Sequence, residues 1–207
     1  MGTLTERGRS VARGVFAAPA RGLVRLHVSP DAVTVVGTLG MSVAVLWFIP
    51  QGEFVWAFFV SLVFVFSDSL DGTMARLSGR SSSWGAFLDS TLDRVTDAAV
   101  FCGIALYYAG LRTHAGQVWL GVTLAALVGS LLVSYARARA EGIGVDASVG
   151  VAERTERLVI VGAGVLLAGV WDVRLLAVSV ALVAVLAWVT VVQRLVAVRR
   201  AASARRT

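Results

Sequence analysis

The sequence contains no lysine, a single cysteine and few charged residues of any kind. Its 19 lysine-plus-arginine positions are all arginine, and only 15% of the 207 residues are charged, whereas 57% are hydrophobic. A soluble domain of this length would carry more charge, so the composition favours an integral membrane protein. The one cysteine, Cys102, cannot form a disulfide within the chain and therefore gives no information about the redox compartment.

The first 25 residues lack the compact apolar stretch of a cleavable signal peptide, so we expect none. Residues 3–25 instead alternate arginines with apolar residues. They form either an amphipathic helix on the inner membrane surface or a basic flank of the first span. The net charge is +6, but the arginines border apolar segments, which favours anionic lipid over nucleic acid as their partner.

Six apolar segments approach the roughly 20 residues that a helix needs to cross a bilayer. Ser29 and Pro30 predict the start of the first helix, with Ser29 as its cap and Pro30 in its first turn. We therefore predict an all-α integral membrane protein with six transmembrane helices plus the N-terminal interfacial helix. The predicted spans are 31–49, 54–77, 85–110, 116–140, 155–171 and 174–197.

The arginines lie asymmetrically about these spans. They concentrate in the N-terminal segment, in the C-terminal tail and after the second and fourth spans, whereas the other loops hold only Arg112 and Arg174. Because cytoplasmic loops are enriched in arginine, both termini are predicted to be cytoplasmic. We expect residues 1–207 to form one domain, with a juxtamembrane segment at 1–28 and a basic cytoplasmic tail at 198–207.

Four aspartates interrupt the second and third spans. Asp68 and Asp71 are three residues apart and Asp89 and Asp93 are four apart, so each pair shares one helical face. Carboxylates in apolar helices face a partner or a polar cavity, and oxygen ligands suit Mg²⁺. The spacing predicts a divalent cation site near the inner membrane face. The alternative is a set of ion pairs with arginines at the helix ends.

Small and basic residues lie between the two acidic pairs. Gly72 and Ala75 would let a ligand approach the helix backbone, and Arg76 suits bidentate phosphate contact. Gly85 opens the third span beside the carboxylates. For Asp97, one turn beyond Asp93, we predict a structural partnership with an arginine or a hydroxyl rather than metal ligation.

From Asp68 to Asp93 the residues read Asp-x2-Asp-Gly-x2-Ala-Arg-x8-Gly-x3-Asp-x3-Asp. This pattern resembles the CDP-alcohol phosphotransferase family. The resemblance implies six transmembrane helices, a homodimer and a cytoplasmic active site in which the four aspartates hold two Mg²⁺ or Mn²⁺ ions. It also implies transfer of a phosphatidyl-type group from a CDP-linked donor to an alcohol, with release of CMP.

The resemblance further assigns individual roles. Asp93 would be the general base that takes the proton of the attacking hydroxyl. The contacts to the donor, CDP-diacylglycerol, would come from the first span and from the motif: Asp31, Ala32, Val33, Thr34, Gly72, Ala75, Arg76, Ser82 and Gly85. For residues 31–34 a capped helix start is an equally good explanation.

Arginines at the ends of the fourth and fifth spans predict the acceptor site. Arg137, Arg154 and Arg157 lie at the same predicted membrane face as the aspartates, and a cationic pocket there would suit an acceptor that carries a phosphate. We expect Arg139 to be structural. The alternative is that these arginines pair with acids of the same segments, namely Glu141, Glu153 and Glu156.

The same segments resemble the actinobacterial members of the family that join CDP-diacylglycerol to inositol 1-phosphate. One departure is Arg137, because that subgroup also has lysine there. Glycerol 3-phosphate is the second acceptor that a basic pocket would suit, whereas serine brings no phosphate. A cation transporter is disfavoured because the acids cluster at one membrane face instead of continuing across the bilayer.

Overall fold

The computed structural model describes residues 19, 21–77 and 82–204, except the side chains of 66–72, 75–77 and 204. Within these ranges no strand is present, which confirms the prediction of an all-helical fold. Each helix overlaps one predicted span. In chain order the helices are α1 (Pro30–Phe48), α2 (Phe54–Leu77), α3 (Ser83–Gly110), α4 (His114–Gly142), α5 (Arg154–Val170) and α6 (Arg174–Ala204).

Three helices are long and apolar enough to cross a membrane among the residues described: α1, α4 and the Arg174–Ser203 part of α6. A shorter apolar stretch, Phe54–Val65, lies in α2. Large apolar side chains are exposed, with Trp171 at 82% and Trp47 at 64%. Extensive apolar exposure of this kind is expected where lipid covers the surface. These features agree with an integral membrane protein, while the number of six spans stays a prediction.

The ends of the helices follow the local sequence. At α1 the backbone N–H of Ala32 donates to Ser29 Oγ at 3.2 Å, which confirms Ser29 as the cap and Pro30 as the first helical residue. The predicted amphipathic helix at 3–25 falls mostly outside the described residues, of which 21–25 are helical.

The last helix differs from its prediction. The helix runs beyond the predicted sixth span, 174–197, and into the predicted basic tail, 198–207, because α6 continues to Ala204. The arginines at 199 and 200 end the apolar run without ending the helix, because arginine and alanine are both strong helix formers.

The contacts divide the chain into two compact units. The first comprises Met1–Ala44 and Phe59–Thr96, and the second comprises Val45–Phe58 and Asp97–Thr207. The four motif aspartates belong to the first unit, and the predicted acceptor arginines belong to the second. The prediction of one domain is not tested by this division.

In the second unit, α6 packs against both α4 and α5. Small residues permit the approach. A Cβ added to Gly129 of α4 would lie 3.1 Å from the Cβ of Ala187 in α6, and one added to Gly164 of α5 would collide with the side chain of Ser179 in α6. Close contact through small residues is the usual means by which membrane helices associate.

The connection between α4 and α5 is also anchored in the second unit. Val145, Ala147 and Ala152 are buried, and the first two pack with Val198 and Ala201 of α6. The N–H of Ala152 donates to Thr190 Oγ1 at 3.3 Å. This connection fixes the start of α5, where two of the predicted acceptor arginines lie.

Candidate active site

The first compact unit contains the motif aspartates on two consecutive helices. Asp68 and Asp71 lie on α2, which is continuous through Leu77, so they differ by about 60° around the helix. Their side chains lie outside those described, as do those of Gly72, Ala75 and Arg76. Asp89 and Asp93 lie one turn apart on α3, where Asp89 is exposed and the side chain of Asp93 is 18% exposed.

Asp89 and Asp93, the two motif aspartates whose side chains are described, have the chemistry that a hard divalent cation prefers. Asp89 and Asp93 offer oxygen ligands on one face of a helix, and Asp89 is open to solvent. Asp93 also pairs with Arg94, with 3.5 Å between Oδ2 and Nη1. Among the described side chains no three metal-binding residues come together, and Asp68 and Asp71 are not in that set.

The structure brings together three residues of the predicted donor site in the first unit. Ser82 caps α3, because the N–H of Gly85 donates to Ser82 Oγ at 3.0 Å. A Cβ added to Gly85 would lie 3.4 Å from Ser82 Oγ and 3.8 Å from Asp31 Oδ1. The absence of a side chain at Gly85 therefore leaves space beside the Asp31 carboxylate.

Sequence reasoning missed Trp84 in this group. Its indole N–H donates to Asp31 Oδ2 at 3.1 Å, and its ring lies 6.0 Å from that of Phe87. The residue precedes the glycine of the motif, but nothing in the sequence indicated a contact 53 residues away. Asp31 is thus held by a residue of another helix, which a helix cap alone would not require.

The remaining residues of the predicted donor segment belong to the first turns of α1. Thr34 Oγ1 donates to the carbonyl of Pro30 at 3.1 Å, Ala32 is exposed, and Val33 is half-buried. The capped helix start is present, because Ser29 caps α1, and Asp31 also lies beside Gly85. The donor assignments stay predictions.

In the second unit, Arg137 pairs with an acid of its own helix. Its Nε lies 3.0 Å from Glu141 Oε1, one turn along α4, and both side chains are about half exposed. This pair is one of those that the alternative interpretation anticipated. Arg139, which we expected to be structural, is exposed in the last turn of α4.

Arg154 and Arg157 share a different partner, Asp97 of α3. Arg154 Nε donates to Asp97 Oδ1 at 3.1 Å, and Arg157 Nη2 lies 4.0 Å from Asp97 Oδ2. Of the two partners predicted for Asp97, an arginine or a hydroxyl, the structure shows arginine. In the alternative interpretation these arginines would pair with Glu153 and Glu156. The acid that both arginines contact is Asp97 instead.

A buried arginine of α6 also escaped the sequence analysis. Arg194 is 2% exposed and donates to the carbonyls of Val149, at 2.9 Å, and Val133, at 2.6 Å. It joins α6 to α4 and to the connection before α5. The sequence does contain a signal for it, because Arg194 lies inside the predicted span 174–197, where a charged residue needs a partner.

The sequence matches the family model for CDP-alcohol phosphatidyltransferase over residues 27–201. The chain belongs to this family. It is therefore a transferase, and the motif aspartates on α2 and α3 lie within the matched region. The match also includes Asp97 and the arginines of the second unit.

Curated relatives are similar along most of the chain. The phosphatidylinositol phosphate synthase of Streptomyces avermitilis is 49% identical over 185 residues, which are 86% of this chain and 75% of the relative. That of Cutibacterium acnes is 44% identical over 190 residues, 88% of this chain and 91% of the relative.

Solved structures show the same fold. Mycobacterium tuberculosis phosphatidylinositol phosphate synthase with CDP-DAG bound aligns with a TM-score of 0.83 at 38% identity, covering 89% of this chain and 93% of that one. The same enzyme in complex with manganese and citrate also has a TM-score of 0.83 at 38% identity, covering 88% of each chain. The relative thus binds both a CDP-linked lipid and a divalent metal.

Proposed function

We propose that this protein transfers the phosphatidyl group of CDP-diacylglycerol to inositol 1-phosphate, giving phosphatidylinositol phosphate and CMP. The observation that carries the proposal is the identity of 44% and 49% with two phosphatidylinositol phosphate synthases over 88% and 86% of the chain. A motif match alone would support the reaction class without the acceptor.

The reaction exchanges one phosphorus–oxygen bond for another. A hydroxyl oxygen of the acceptor bonds to the phosphorus that carries the diacylglycerol, and the bond from that phosphorus to the bridging oxygen of the diphosphate breaks. CMP leaves with the bridging oxygen. The proton of the attacking hydroxyl passes to a base, which we assign to Asp93.

The protein requires a divalent metal, for which we assign Asp68, Asp71, Asp89 and Asp93 as ligands. We further propose Mg²⁺ as the ion, two per site, with Mn²⁺ as a substitute. Bound there, the ions would neutralise negative charge on the diphosphate as CMP leaves. The side chain of Asp93 is 18% exposed, and its Oδ2 lies 3.5 Å from Arg94 Nη1.

The other site residues divide between donor and acceptor. Asp31, Ser82 and Gly85 lie together in the first unit and would receive part of the CDP-diacylglycerol, with Thr34 and Arg76 nearby in the sequence. Arg137, Arg154 and Arg157 would bind the acceptor phosphate, which guanidinium groups suit by charge and geometry.

We also propose the membrane arrangement. The chain spans the cell membrane six times, with both termini and the active site in the cytoplasm, and forms a homodimer. The support for the spans and their orientation is the excess of arginine in the segments predicted to be cytoplasmic, together with the helices at each predicted span. The homodimer is proposed from the family resemblance alone.

An acceptor panel tests the proposed reaction. Purified full-length protein in detergent micelles receives CDP-diacylglycerol and Mg²⁺ with inositol 1-phosphate, glycerol 3-phosphate, inositol or serine, and CMP release is measured. We expect inositol 1-phosphate to give the highest kcat/KM. A higher value with glycerol 3-phosphate would overturn the acceptor assignment while retaining the reaction class.

A further inference from the structure

Asp97 lies at the centre of a buried charge cluster in the second unit. The residue is 4% exposed, and its two carboxylate oxygens lie 3.1 Å from Arg154 Nε and 4.0 Å from Arg157 Nη2. One carboxylate therefore serves two guanidinium groups from the first turn of α5. Buried charges are stable only when paired in this way, so removing one partner is costly.

The two arginines differ in how firmly the protein holds them. Arg157 is 3% exposed, and its Nη1 donates to the carbonyl of Ala152 at 2.9 Å. Ala152 is itself buried and receives a second restraint, since its N–H donates to Thr190. Arg157 therefore links Asp97 to the buried connection before α5.

Arg154 is the more accessible of the pair. Its side chain is 28% exposed, whereas that of Asp97 is 5% exposed. The contact from Asp97 goes to Nε, and anchoring Nε of a planar guanidinium fixes the plane and direction of its two terminal nitrogens. Of the three side chains in the cluster, Arg154 is the most exposed, at 28% against 5% for Asp97 and 3% for Arg157.

We propose that Asp97 is a positioning residue for acceptor recognition. It acts through Arg154, which it orients so that the guanidinium meets the acceptor phosphate in a fixed geometry. This inference rests on the proposed function, because it assigns part of the recognition of a phosphorylated acceptor. Asp97 itself does not contact the phosphate.

Asp97→Asn tests the proposal, with KM measured separately for inositol 1-phosphate and for CDP-diacylglycerol. We expect the acceptor KM to rise about tenfold and the donor KM to change less than about twofold, because only the acceptor meets Arg154. Asp172→Asn is the matched control, since this exposed carboxylate caps the start of α6 through the N–H of Arg174. We expect both of its KM values to stay at the wild-type level.

A double-mutant cycle separates positioning from a general loss of structure. If Asp97 acts through Arg154, Asp97→Asn in an Arg154→Gln background produces little further rise in acceptor KM. Additive effects of the two substitutions would overturn the proposal, as would an equal rise in both KM values for Asp97→Asn alone.

A second variant and a check on the wild-type protein ensure that the experiment gives a clear answer. If Asp97→Asn does not fold, Asp97→Glu keeps the charge and displaces the carboxylate by one methylene, and the same selective rise in acceptor KM is expected. An unchanged acceptor KM in Asp97→Glu would overturn the proposal. If the wild-type protein itself does not use inositol 1-phosphate, the proposed function fails instead, and this is seen before any variant is compared.

Discussion

Individual charged residues in this protein are paired within apolar surroundings. Asp97 pairs with Arg154, and the buried Arg194 donates to two backbone carbonyls. Ionised groups away from water are costly unless hydrogen-bonded or paired, so such residues persist where they serve a site or fix a connection. Asp97 of α3 links to the start of α5 in this way, and Arg194 links α6 to α4.

Asp93→Asn tests the base assignment. The amide cannot take a proton from the acceptor hydroxyl, so we expect kcat to fall by about 10² to 10⁴ while binding of CDP-diacylglycerol is retained. CMP release gives kcat, and equilibrium binding of the donor in micelles gives Kd. Asp172→Asn controls for the loss of a carboxylate, and undiminished CMP release by Asp93→Asn would refute the assignment.

For single residues, the sequence predicted which side chains are functionally important better than it predicted which residues they contact. The position of Asp97 one turn beyond the motif predicted an arginine or a hydroxyl as its partner, but local spacing does not specify which residue of the chain that partner is. Trp84 and Arg194 were missed because their contacts join segments 53 and 45 residues apart along the chain. Such contacts depend on how helices pack, which a single sequence does not specify.

The helices of the second unit are held together at small residues. Gly164 on α5 faces Ser179 on α6, and Gly129 on α4 faces Ala187 on α6. Because membrane helices gain little from the hydrophobic effect in lipid, close backbone approach supplies much of their association. These contacts hold α4 and α5 against α6.

Gly164→Ala tests this packing. The new methyl group would overlap Ser179 Cβ, so the backbones must separate, and we expect a loss of about 1–3 kcal/mol in the free energy of unfolding. Gly121→Ala on α4 is the matched control, since a Cβ there has nothing within 4 Å and alanine favours the helix. Thermal denaturation in detergent compares them, and equal stability of the two variants would contradict the packing argument.

Helix positions were predictable to within a few residues from the apolar runs alone. The exception was the C-terminal end of α6, because charged residues mark the edge of a span more clearly than the end of a helix. The start of α1 was predictable because Ser29 and Pro30 have defined roles at a helix start. Local chemistry therefore specified the helix ends where a capping residue was present.

On the scale of the whole molecule, exposed apolar side chains and segregated arginines define how the chain meets the membrane. Tryptophans and valines are exposed along the helices, and the predicted cytoplasmic segments hold most of the arginines. The asymmetry predicts the orientation of the chain. The motif predicted the family, because its residue types and spacing follow from the chemistry of the site and can be read directly from the sequence.

Single-cysteine labelling tests the orientation. In a Cys102→Ala background, Trp171→Cys places a thiol between α5 and α6, and Ser203→Cys places one near the end of α6. We expect a membrane-impermeant maleimide to label position 171 in intact cells and position 203 only after permeabilisation. Labelling of position 203 in intact cells would contradict the predicted cytoplasmic C-terminus.

The central claim, that the motif aspartates act with a divalent metal on a CDP-linked lipid, is tested most directly by removing the metal. CMP release from CDP-diacylglycerol and inositol 1-phosphate is measured in micelles after chelation with EDTA and again after Mg²⁺ is added in excess. The account predicts that chelation abolishes CMP release and that Mg²⁺ restores it. Release that continues unchanged in EDTA would contradict it.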